Sequence, residues 1–535
     1  MNARLFRSVS LGLSLIASAA MMPPTAAQCH WTQQGYLEAD DAAAGDGLGP
    51  VALQDDTLVV GAVYGDGAAS DSGSAYVFVR GGHVWAQQQE LCASDGAAGD
   101  AFGGRVAIWG DTAVVGAAED DHGGRVDAGS AYVFTRSGTV WAQQQKLVAS
   151  DAAADDFFGS AVALFGDTIV VGAVGDDHAA GVDAGSAYVF TRSGTVWTQG
   201  PKLVASDAAG GDDFGSSVAL DGTSAVVGAP LNHHPGTLDR GAAYVFDAAS
   251  GAQLAKLTAS DAQDGDYFGW PVAISGSTVV VGAPEEDRLG LDDAGAAYVF
   301  VGAGTSWSEQ AKLVASDAAS LDGFGEFVAC WGDKATVSSK AGAGAGAVYL
   351  YSRRGTTWTE CQELTSCLPS AGDELAFVSI WDDTLAAGAV SDDTPAGVDA
   401  GSVHVFGATL GEPHCTATPN SSGCPASITA LGETSVSAND LTLIATPVPD
   451  QPFIFFFGPN RIQVPFGNGF LCAGGGLTRI LPPGAALGGG ALRAVDLPSV
   501  GLLPGPHSFQ CWFRDPAGGG AAFNTSDAVE VILVP

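Results

Sequence analysis

The sequence predicts an all-β protein, with a seven-bladed β-propeller followed by a small β-sandwich-like C-terminal domain. The first observation is a repeat: DAGSAYVFTRSGTVW stands at 127–141 and returns unchanged at 183–197. Related segments recur every 51 to 56 residues, and a fixed period of this size marks a repeat architecture. Glycine makes up 75 of the 535 residues, which favours tight turns over helices. The aromatic or His position of the segment falls at Tyr76, Tyr132, Tyr188, Tyr244, Tyr298, Tyr349 and His404.

The first residues are typical of an export signal. Arg4 and Arg7 precede the apolar run LGLSLIASAA, and the small residues Thr25 and Ala27 follow it. This pattern predicts a secretory signal peptide over 1–27. No later apolar run reaches the ~18 residues that a membrane helix needs. We therefore expect a monomer without a membrane span that is secreted, periplasmic or on the cell surface.

The chain is strongly acidic, with a formal net charge of −38. Such a field repels nucleic acid and anionic membranes, so neither is expected as a partner, whereas cations are compatible with it. Hydrophobic residues make up 46% of the chain, which is enough to form cores and argues against disorder.

Each repeat between 28 and 408 reads as four short strands. In the third copy, GSAVALF and TIVVGAV are separated by Gly166-Asp167, and SAYVF and TVW are separated by TRSG; both breaks are hairpin signals. The strands are apolar on both faces, so each sheet must be covered on both sides, as in a radial array of blades. We expect AYVF to be a mid-blade strand whose Tyr and Phe pack against the next blade, with Val on the other face.

The ends of the repeat region predict how the ring closes. A W-x-Q-Q strand stands at 31–34, before the first complete repeat, and no such strand follows Phe406. The last blade is therefore one strand short. We expect the N-terminal strand to complete the seventh blade.

Two short motifs mark the repeats: VGA, extended to GAP at 228–230 and 282–284, and FG, which precedes it by some 12 to 14 residues. Over about 31–406 these motifs resemble the FG-GAP repeat of integrin alpha-chain propellers and of many secreted bacterial proteins. The chain departs from the pattern at Leu48-Gly49, Leu375-Ala376 and Val337-Ser338-Ser339. The family's calcium loop between FG and GAP is replaced by a tight turn, so the resemblance implies no calcium ligand here. FG itself stands at Phe102-Gly103, Phe158-Gly159, Phe214-Gly215, Phe268-Gly269 and Phe324-Gly325.

Acidic loops elsewhere in the repeats are candidate calcium sites. Calcium takes six to eight oxygen ligands, and two Asp followed by a third six residues later would supply some of them. The alternative is that Asp and Gly form solvated turns, in which the Asp side chain bonds the backbone. The candidates are Asp120, Asp121 and Asp127; Asp176, Asp177 and Asp183; and Asp392, Asp393 and Asp399.

Other recurring polar residues favour structural roles. The Asp of the ASD segments stands where the chain crosses between blades, which predicts a turn. His122 and His178 share one loop position, and His233-His234 is a pair that could bind metal, although exposed loop histidines are the plainer reading. The repeated tryptophans predict packing between blades or at the rim rather than sugar stacking. These residues are Asp41, Asp95, Asp151, Asp207, Asp261 and Asp317, and Trp85, Trp141, Trp197, Trp307 and Trp358.

Residues 409–535 carry no repeat and read as a small all-β domain, with sorting or anchoring as a possible role. Their cysteines Cys415, Cys424, Cys472 and Cys511 suit two disulfides in an exported protein; three pairings are open, and we favour Cys415–Cys424 with Cys472–Cys511. The pairing of the remaining cysteines, Cys29, Cys92, Cys330, Cys361 and Cys367, is left open.

Three functions remain open. An active site needs one constellation of unique polar residues, and the repeats mostly offer sevenfold copies. We therefore expect an exported non-catalytic binding or adhesion scaffold whose propeller-face loops contact an extracellular protein or glycan. The alternatives are an extracytoplasmic hydrolase-type enzyme on the same scaffold and a purely structural envelope protein. No cofactor is expected except calcium.

Overall fold

A computed structural model describes most of the chain from residue 30 onwards. The predicted signal peptide, 1–27, lies outside the described residues. Within 30–533 the gaps are 82–83, 234–238, 289, 341–343, 367–371, 409–411, 415–416, 418–425, 432–434, 438, 440, 447, 449–450, 467, 475, 486–490, 516 and 518–522. No helix in the described part is long and apolar enough to cross a membrane.

The repeat region forms seven four-stranded antiparallel sheets, the blades, in which consecutive strands pair in order. In blades 2 to 6, strands 1 and 2 and strands 3 and 4 are joined by short turns, as the Gly-Asp and TRSG breaks predict. Blade 1 contains β2 (Leu48–Gln54), β3 (Thr57–Ala62), β4 (Ser74–Gly81) and β5 (Val84–Leu91); blade 2 contains β6 (Phe102–Trp109), β7 (Thr112–Ala117), β8 (Ser130–Ser137) and β9 (Val140–Leu147); blade 3 contains β10 (Phe158–Phe165), β11 (Thr168–Ala173), β12 (Ser186–Ser193) and β13 (Val196–Leu203).

Blades 4 to 6 repeat this arrangement, with first strands of only four residues. Blade 4 contains β14 (Val218–Asp221), β15 (Ser224–Ala229), β16 (Ala242–Asp247) and β17 (Ala252–Leu257); blade 5 contains β18 (Val272–Ser275), β19 (Thr278–Ala283), β20 (Ala296–Ala303) and β21 (Ser306–Leu313); blade 6 contains β22 (Val328–Trp331), β23 (Lys334–Ser339), β24 (Ala347–Arg354) and β25 (Thr357–Leu364).

The N-terminal strand completes the seventh blade, as predicted. Blade 7 contains β26 (Leu375–Trp381), β27 (Thr384–Ala389), β28 (Ser402–Ala408) and, as its outer strand, β1 (Trp31–Leu37). β1 pairs antiparallel with β28, from Trp31 opposite Ala408 to Leu37 opposite Val403. The first strands of neighbouring blades touch all the way round, including β26 against β2. The ring is therefore closed, and the first strands line a central channel.

Each contact between neighbouring blades has its own hydrophobic cluster, and there are seven such clusters. In blade 2, Tyr132 and Phe134 pack with Val59 and Val77 of blade 1, whereas Val133 packs with Phe158 of blade 3. The predicted division of AYVF between two faces is confirmed. The direction was wrong, because the aromatic side chains face the preceding blade and Val faces the next.

The glycines of the two motifs meet where blades approach most closely. A Cβ on Gly61 would lie 1.8 Å from the carbonyl oxygen of Gly103 in the next blade. Gly103 itself has a φ of +97° and approaches Ser74. Neither position has room for a side chain, so both motif glycines are required by the same contact.

The C-terminal region forms two sheets around one core. A five-stranded sheet has the order β29-β38-β37-β32-β35, a three-stranded sheet has the order β30-β31-β36, and β33 and β34 form a hairpin. Phe455 and Phe509 of the larger sheet pack in one cluster with Ile428 and Leu443 of the smaller. Thr32 of β1 lies 2.5 Å from Thr429 (Oγ1 to Oγ1), so this region contacts the closing strand. The strands are β29 (Glu412–His414), β30 (Ser427–Leu431), β31 (Thr442–Thr446), β32 (Pro452–Gly458), β33 (Asn460–Phe466), β34 (Gly469–Gly474), β35 (Thr478–Ala485), β36 (Ala491–Ala494), β37 (Gly505–Arg514) and β38 (Phe523–Leu533).

One of the two predicted disulfides is wrong. Cys511 is a buried free thiol, and Cys472 is disulfide-bonded to a different cysteine. Cys511 lies in the core cluster among Phe455 and Phe513, where burial raises the pKa of its thiol and keeps it neutral. Its place among four C-terminal cysteines of an exported chain suggested a bridge, but it packs as a small apolar side chain. The Cys415–Cys424 pairing lies outside the described residues and stays a prediction.

Candidate functional site

The acidic loops and the FG dipeptides lie at one end of the ring, here called the upper face. In blade 2 this face carries a network in which Lys146 Nζ lies 2.8 Å from Asp95 and 2.9 Å from Asp120. The Tyr132 hydroxyl donates to Asp95 over 3.0 Å, and Ser130 Oγ donates to Asp120 over 2.5 Å. Asp120 is only 2% exposed. Lys146 therefore balances a buried negative charge and joins the loop before blade 2 to the loop within it.

The electrostatics of Asp95 agree with this structural role. Partial burial favours its neutral form, but the hydrogen bonds from Lys146 and Tyr132 and the charge of Lys146 outweigh that effect. The pKa of Asp95 is therefore held below its usual value. The same direction and leading causes apply to the equivalent residues of the next three blades, Asp151, Asp207 and Asp261.

The lysine recurs in only four neighbouring blades, 2 to 5, as Lys146, Lys202, Lys256 and Lys312. At the position paired with the motif aromatic residue or His, blades 1 and 6 have Glu90 and Glu363, and blade 7 has Tyr36. The network thus breaks its sevenfold pattern on one side of the ring.

The calcium candidates have other partners in the structure. Asp176 contacts Lys202 and Ser186 as Asp120 contacts Lys146 and Ser130, and Asp392 accepts hydrogen bonds from Tyr36 and Ser402. The second and third aspartates of each group form a turn, in which the first of them accepts the backbone N–H of the other. The turn pairs are Asp121 with Asp127, Asp177 with Asp183, and Asp393 with Asp399, at 2.9, 2.8 and 3.1 Å. Among the described residues, no three His, Cys, Asp or Glu side chains come together in a way that could hold a metal ion.

The histidine and tryptophan candidates also take part in local packing. His178 Nε2 lies 3.1 Å from the Gly185 carbonyl oxygen, and His233 Nδ1 lies 3.3 Å from Asp239. His122 Nδ1 lies 3.9 Å from Asp120, and His234 is outside the described residues. Trp141 is buried, and its indole N–H donates to Gln88 of the preceding blade over 3.0 Å. These contacts agree with the structural alternatives.

The residues that differ from blade to blade follow directly after the FG position. They line a cavity of about 440 Å³ at the upper end of the central channel, here called the central pocket, to which all seven blades contribute. Sevenfold copies cannot form one asymmetric site, whereas these positions form one. They include Pro50 and Val51, Arg105, Ser160 and Ala161, Ser216 and Ser217, Trp270 and Pro271, Glu326 and Phe327, and Phe377 and Val378.

The central pocket carries charges of both signs. Arg105 of blade 2 projects over the ring of Phe377 of blade 7, at 6.0 Å from its centroid. Glu326 of blade 6 pairs with Lys340 at 3.0 Å. Asp213 of blade 4 stands next to Phe214 at the pocket wall, and burial with the nearby aspartates raises its pKa to about 6. Trp270 is 43% exposed, so the pocket also presents an open aromatic face.

Aromatic rings meet across the lower end of the channel. The last residues of the first strands include Trp109 and Phe165, with ring centroids 4.0 Å apart, and Trp331 and Trp381, 3.9 Å apart. Trp109 and Trp381 join the two pairs at 5.9 Å. The central pocket therefore opens at the upper face, with an aromatic floor below it.

A comparison with protein families identifies the repeat. A model of the FG-GAP repeat matches six segments that together make up more than half of the chain: 31–78, 85–134, 141–190, 197–246, 252–300 and 307–351. The chain is an FG-GAP repeat protein. A search of curated proteins finds no match. The six matches cover the six intervals from β1 to β24.

This FG-GAP repeat protein has a second and larger cavity in its C-terminal region. It measures about 820 Å³ and is lined mostly by apolar side chains, among them Phe456, Leu471 and Trp512; Arg479 is the one charged residue among the described residues that line it. The central pocket is the better candidate for specific recognition, because charged and polar groups from several blades converge on it.

Sequence reasoning missed the central pocket. The sequence does contain a signal, because the two residues after FG read Gly104-Arg105, Ser160-Ala161, Ser216-Ser217, Trp270-Pro271 and Glu326-Phe327 in successive copies. In a repeat whose other positions agree, the position that varies is a candidate for function. Recognising it requires knowing that this position faces the channel.

Proposed function

We propose that this FG-GAP repeat protein is an exported, non-catalytic binding scaffold that contacts an extracellular protein or glycan through its upper face, around the central pocket. The observation that carries the proposal is the contrast between the two kinds of polar residue. Recurring ones such as Lys146 and Asp120 bind one another, whereas Arg105, Asp213, Trp270 and Glu326 converge on one cavity. An exposed tryptophan beside charged groups suits sugar rings and protein side chains alike.

A binding screen of the full chain against surface glycans and envelope proteins tests the proposal. Any ligand found is then measured with Trp270→Ala and Glu326→Gln, which change the central pocket. Arg354→Ala is the control, since Arg354 is exposed at the end of β24 that lies away from the upper face. We expect the pocket variants to weaken binding at least tenfold and the control to leave it unchanged. Equal binding by all three variants would place the contact elsewhere.

A hydrolase is the second candidate, favoured by one observation. Asp213 and Glu326 line the same pocket, and the pKa of Asp213 is raised to about 6, which suits a general acid near neutral pH. The ligands found in the screen are incubated with the protein and their breakdown is followed by mass spectrometry. Turnover that disappears in Asp213→Asn and Glu326→Gln would favour the enzyme over the binding scaffold.

A further inference from the structure

The central pocket has the dimensions of a small-molecule site. Its volume of about 440 Å³ falls in the range of roughly 300–1,000 Å³ that is usual for such sites. Trp270 offers a flat apolar wall. The inference below rests on the proposed function, because it assigns the chemistry of the ligand that this same site takes.

Arg105 presents a positive charge that has no ion-pair partner among the described residues. Within the described part of the chain, its side chain donates one hydrogen bond, to the carbonyl of the adjacent Gly104 at 2.7 Å, and no carboxylate lies within 4.0 Å of it. Glu326 attracts it at longer range but is already paired with Lys340. The Arg105 side chain is exposed at the wall of the central pocket, so a ligand in the pocket can reach it. A planar cation with most of its donors unused is a site for a carboxylate.

Asp213 presents the opposite case. Its carboxylate accepts no hydrogen bond from the described residues, and Asp183, Asp212 and Asp239 add negative charge around it. Burial and these neighbours raise its pKa to about 6, so its ionised form is destabilised. A bound ammonium group would stabilise the ionised form, because it supplies a positive charge and hydrogen-bond donors.

The negative charge of the whole molecule also restricts the net charge that a ligand can carry. A net anion that could pair with Arg105 has to approach a protein of net charge −38. Arg105, Asp213 and Glu326 line the pocket, and Lys340 pairs with Glu326 beside it, so these four charges balance. A ligand that is neutral overall but carries both charges satisfies Arg105 and Asp213 together without a net electrostatic penalty.

We propose that the central pocket binds a small zwitterion, whose carboxylate pairs with Arg105, whose ammonium group lies at Asp213, and whose ring or side chain packs on Trp270. An amino sugar acid and an amino acid share this chemistry, and both occur at the ends of larger chains.

Calorimetric titration of the full chain with two matched series tests the proposal. The sugar series contains muramic acid, glucosamine, glucuronic acid and glucose. The amino-acid series contains phenylalanine, its amide and its N-acetyl derivative. In at least one series, we expect the zwitterion to bind about tenfold or more tightly than each analogue that lacks one charge. The series in which this occurs distinguishes the two sources.

Variants assign the two charges. Arg105→Gln should remove the gain in affinity that the ligand's carboxylate gives. Asp213→Asn should remove the gain in affinity that the ligand's ammonium group gives. Arg125→Gln and Asp292→Asn are matched controls, because both residues are exposed and neither lines the central pocket. Thermal melting of every variant separates lost binding from lost folding.

The proposal is overturned if neither zwitterion binds, if analogues lacking one charge bind equally well, or if folded Arg105→Gln and Asp213→Asn retain full selectivity. The proposed function still stands after any of these outcomes if the binding screen yields a macromolecule whose binding depends on Trp270. Conversely, zwitterion binding without any macromolecular ligand supports the pocket chemistry and contradicts the scaffold.

Discussion

Most recurring polar residues of this propeller connect one blade to the next, and their repetition follows from that task. Lys146 holds two aspartates on the upper face, and Arg136 donates both to Asp111 of its own blade and to Thr57 of the preceding one. Every interface between blades needs such connections. In the central pocket, by contrast, Arg105, Asp213 and Trp270 stand at positions where the other copies carry different residues.

Asp213 should make the stability of the protein depend on pH. Its pKa is about 6 in the folded chain, against an ordinary value of 3.8, so the folded state binds this proton more tightly. The ionised side chain therefore opposes folding above pH 6, and this effect disappears as the pH falls through 6 towards 3.8. At pH 8 we expect Asp213→Asn to unfold at a higher urea concentration than wild type. Its free energy of unfolding should be larger by about 1 kcal/mol after allowance for solvent screening.

The gain from Asp213→Asn should shrink when the same urea titration is run at pH 4.5. Asp292→Asn, at an exposed position, is the control and should shift neither curve. A constant gain at both pH values would show that ionisation is not its cause.

The motif glycines allow a sharper test of packing. Gly61→Ala places a Cβ 1.8 Å from the backbone oxygen of Gly103, and two backbones must separate to accept it. We expect a loss of more than about 3 kcal/mol in chemical unfolding. Gly110→Ala is the matched control: its φ is +57° but its Cβ meets nothing within 4 Å. It should lose only about 1 kcal/mol, the strain of the backbone alone.

At the scale of strands, the outer strands are joined by glutamine side chains. Gln89 of blade 1 receives the N–H of Trp141 and donates to its carbonyl oxygen, both at 2.8 Å. Gln362 of blade 6 makes the same pair of bonds with Trp31, at 2.8 and 2.9 Å. The W-x-Q-Q-Q pattern is thus a strand-to-strand connection, which also attaches β1 to its neighbouring blade.

Gln362→Ala should weaken the closure of the ring. Both hydrogen bonds to Trp31 are lost and its backbone groups are left partly buried, so we expect about 1–3 kcal/mol of destabilisation. The same change at Gln89 removes equal bonds within the continuous chain. Protease cleavage near residue 31, compared between the two variants, checks the difference: cleavage should rise in Gln362→Ala and stay low in Gln89→Ala. Equal rates would contradict a special role of the closing strand.

At the scale of the whole molecule, the sequence predicts the architecture well and the site poorly. Period, strand pattern and unequal ends determine seven blades and the strand β1 that closes them. Interface positions repeat because every interface is alike. The central pocket is assembled from residues 50 or more positions apart, and only the ring geometry shows that they meet. The sequence also failed to predict the pairing of Cys472, because it does not show that Cys511 packs among core phenylalanines.

Removal of β1 should affect the whole ring. A chain without residues 31–37 leaves β28 as an unpaired edge and exposes the cluster that contains Trp31 and Phe406. We expect a melting temperature lower by 10 °C or more, by order of magnitude, and a tendency to aggregate. Calorimetry with light scattering measures both. A chain that ends at residue 408 keeps all seven blades and should melt much closer to the full protein; the reverse order would contradict closure by β1.

The three blades that lack the lysine form the part of the ring that should open first. Glu90, Glu363 and Tyr36 replace them in three adjacent blades on both sides of the seam where the chain's beginning meets its repeats. Burial and the neighbouring acids Asp317 and Glu360 raise the pKa of Glu363, a sign of mutual repulsion on this arc. Breathing motions of the disc should therefore start there. Deuterium uptake by the amides of β5, β25 and β1 would then run ahead of uptake by β9 and β13, most clearly in dilute buffer.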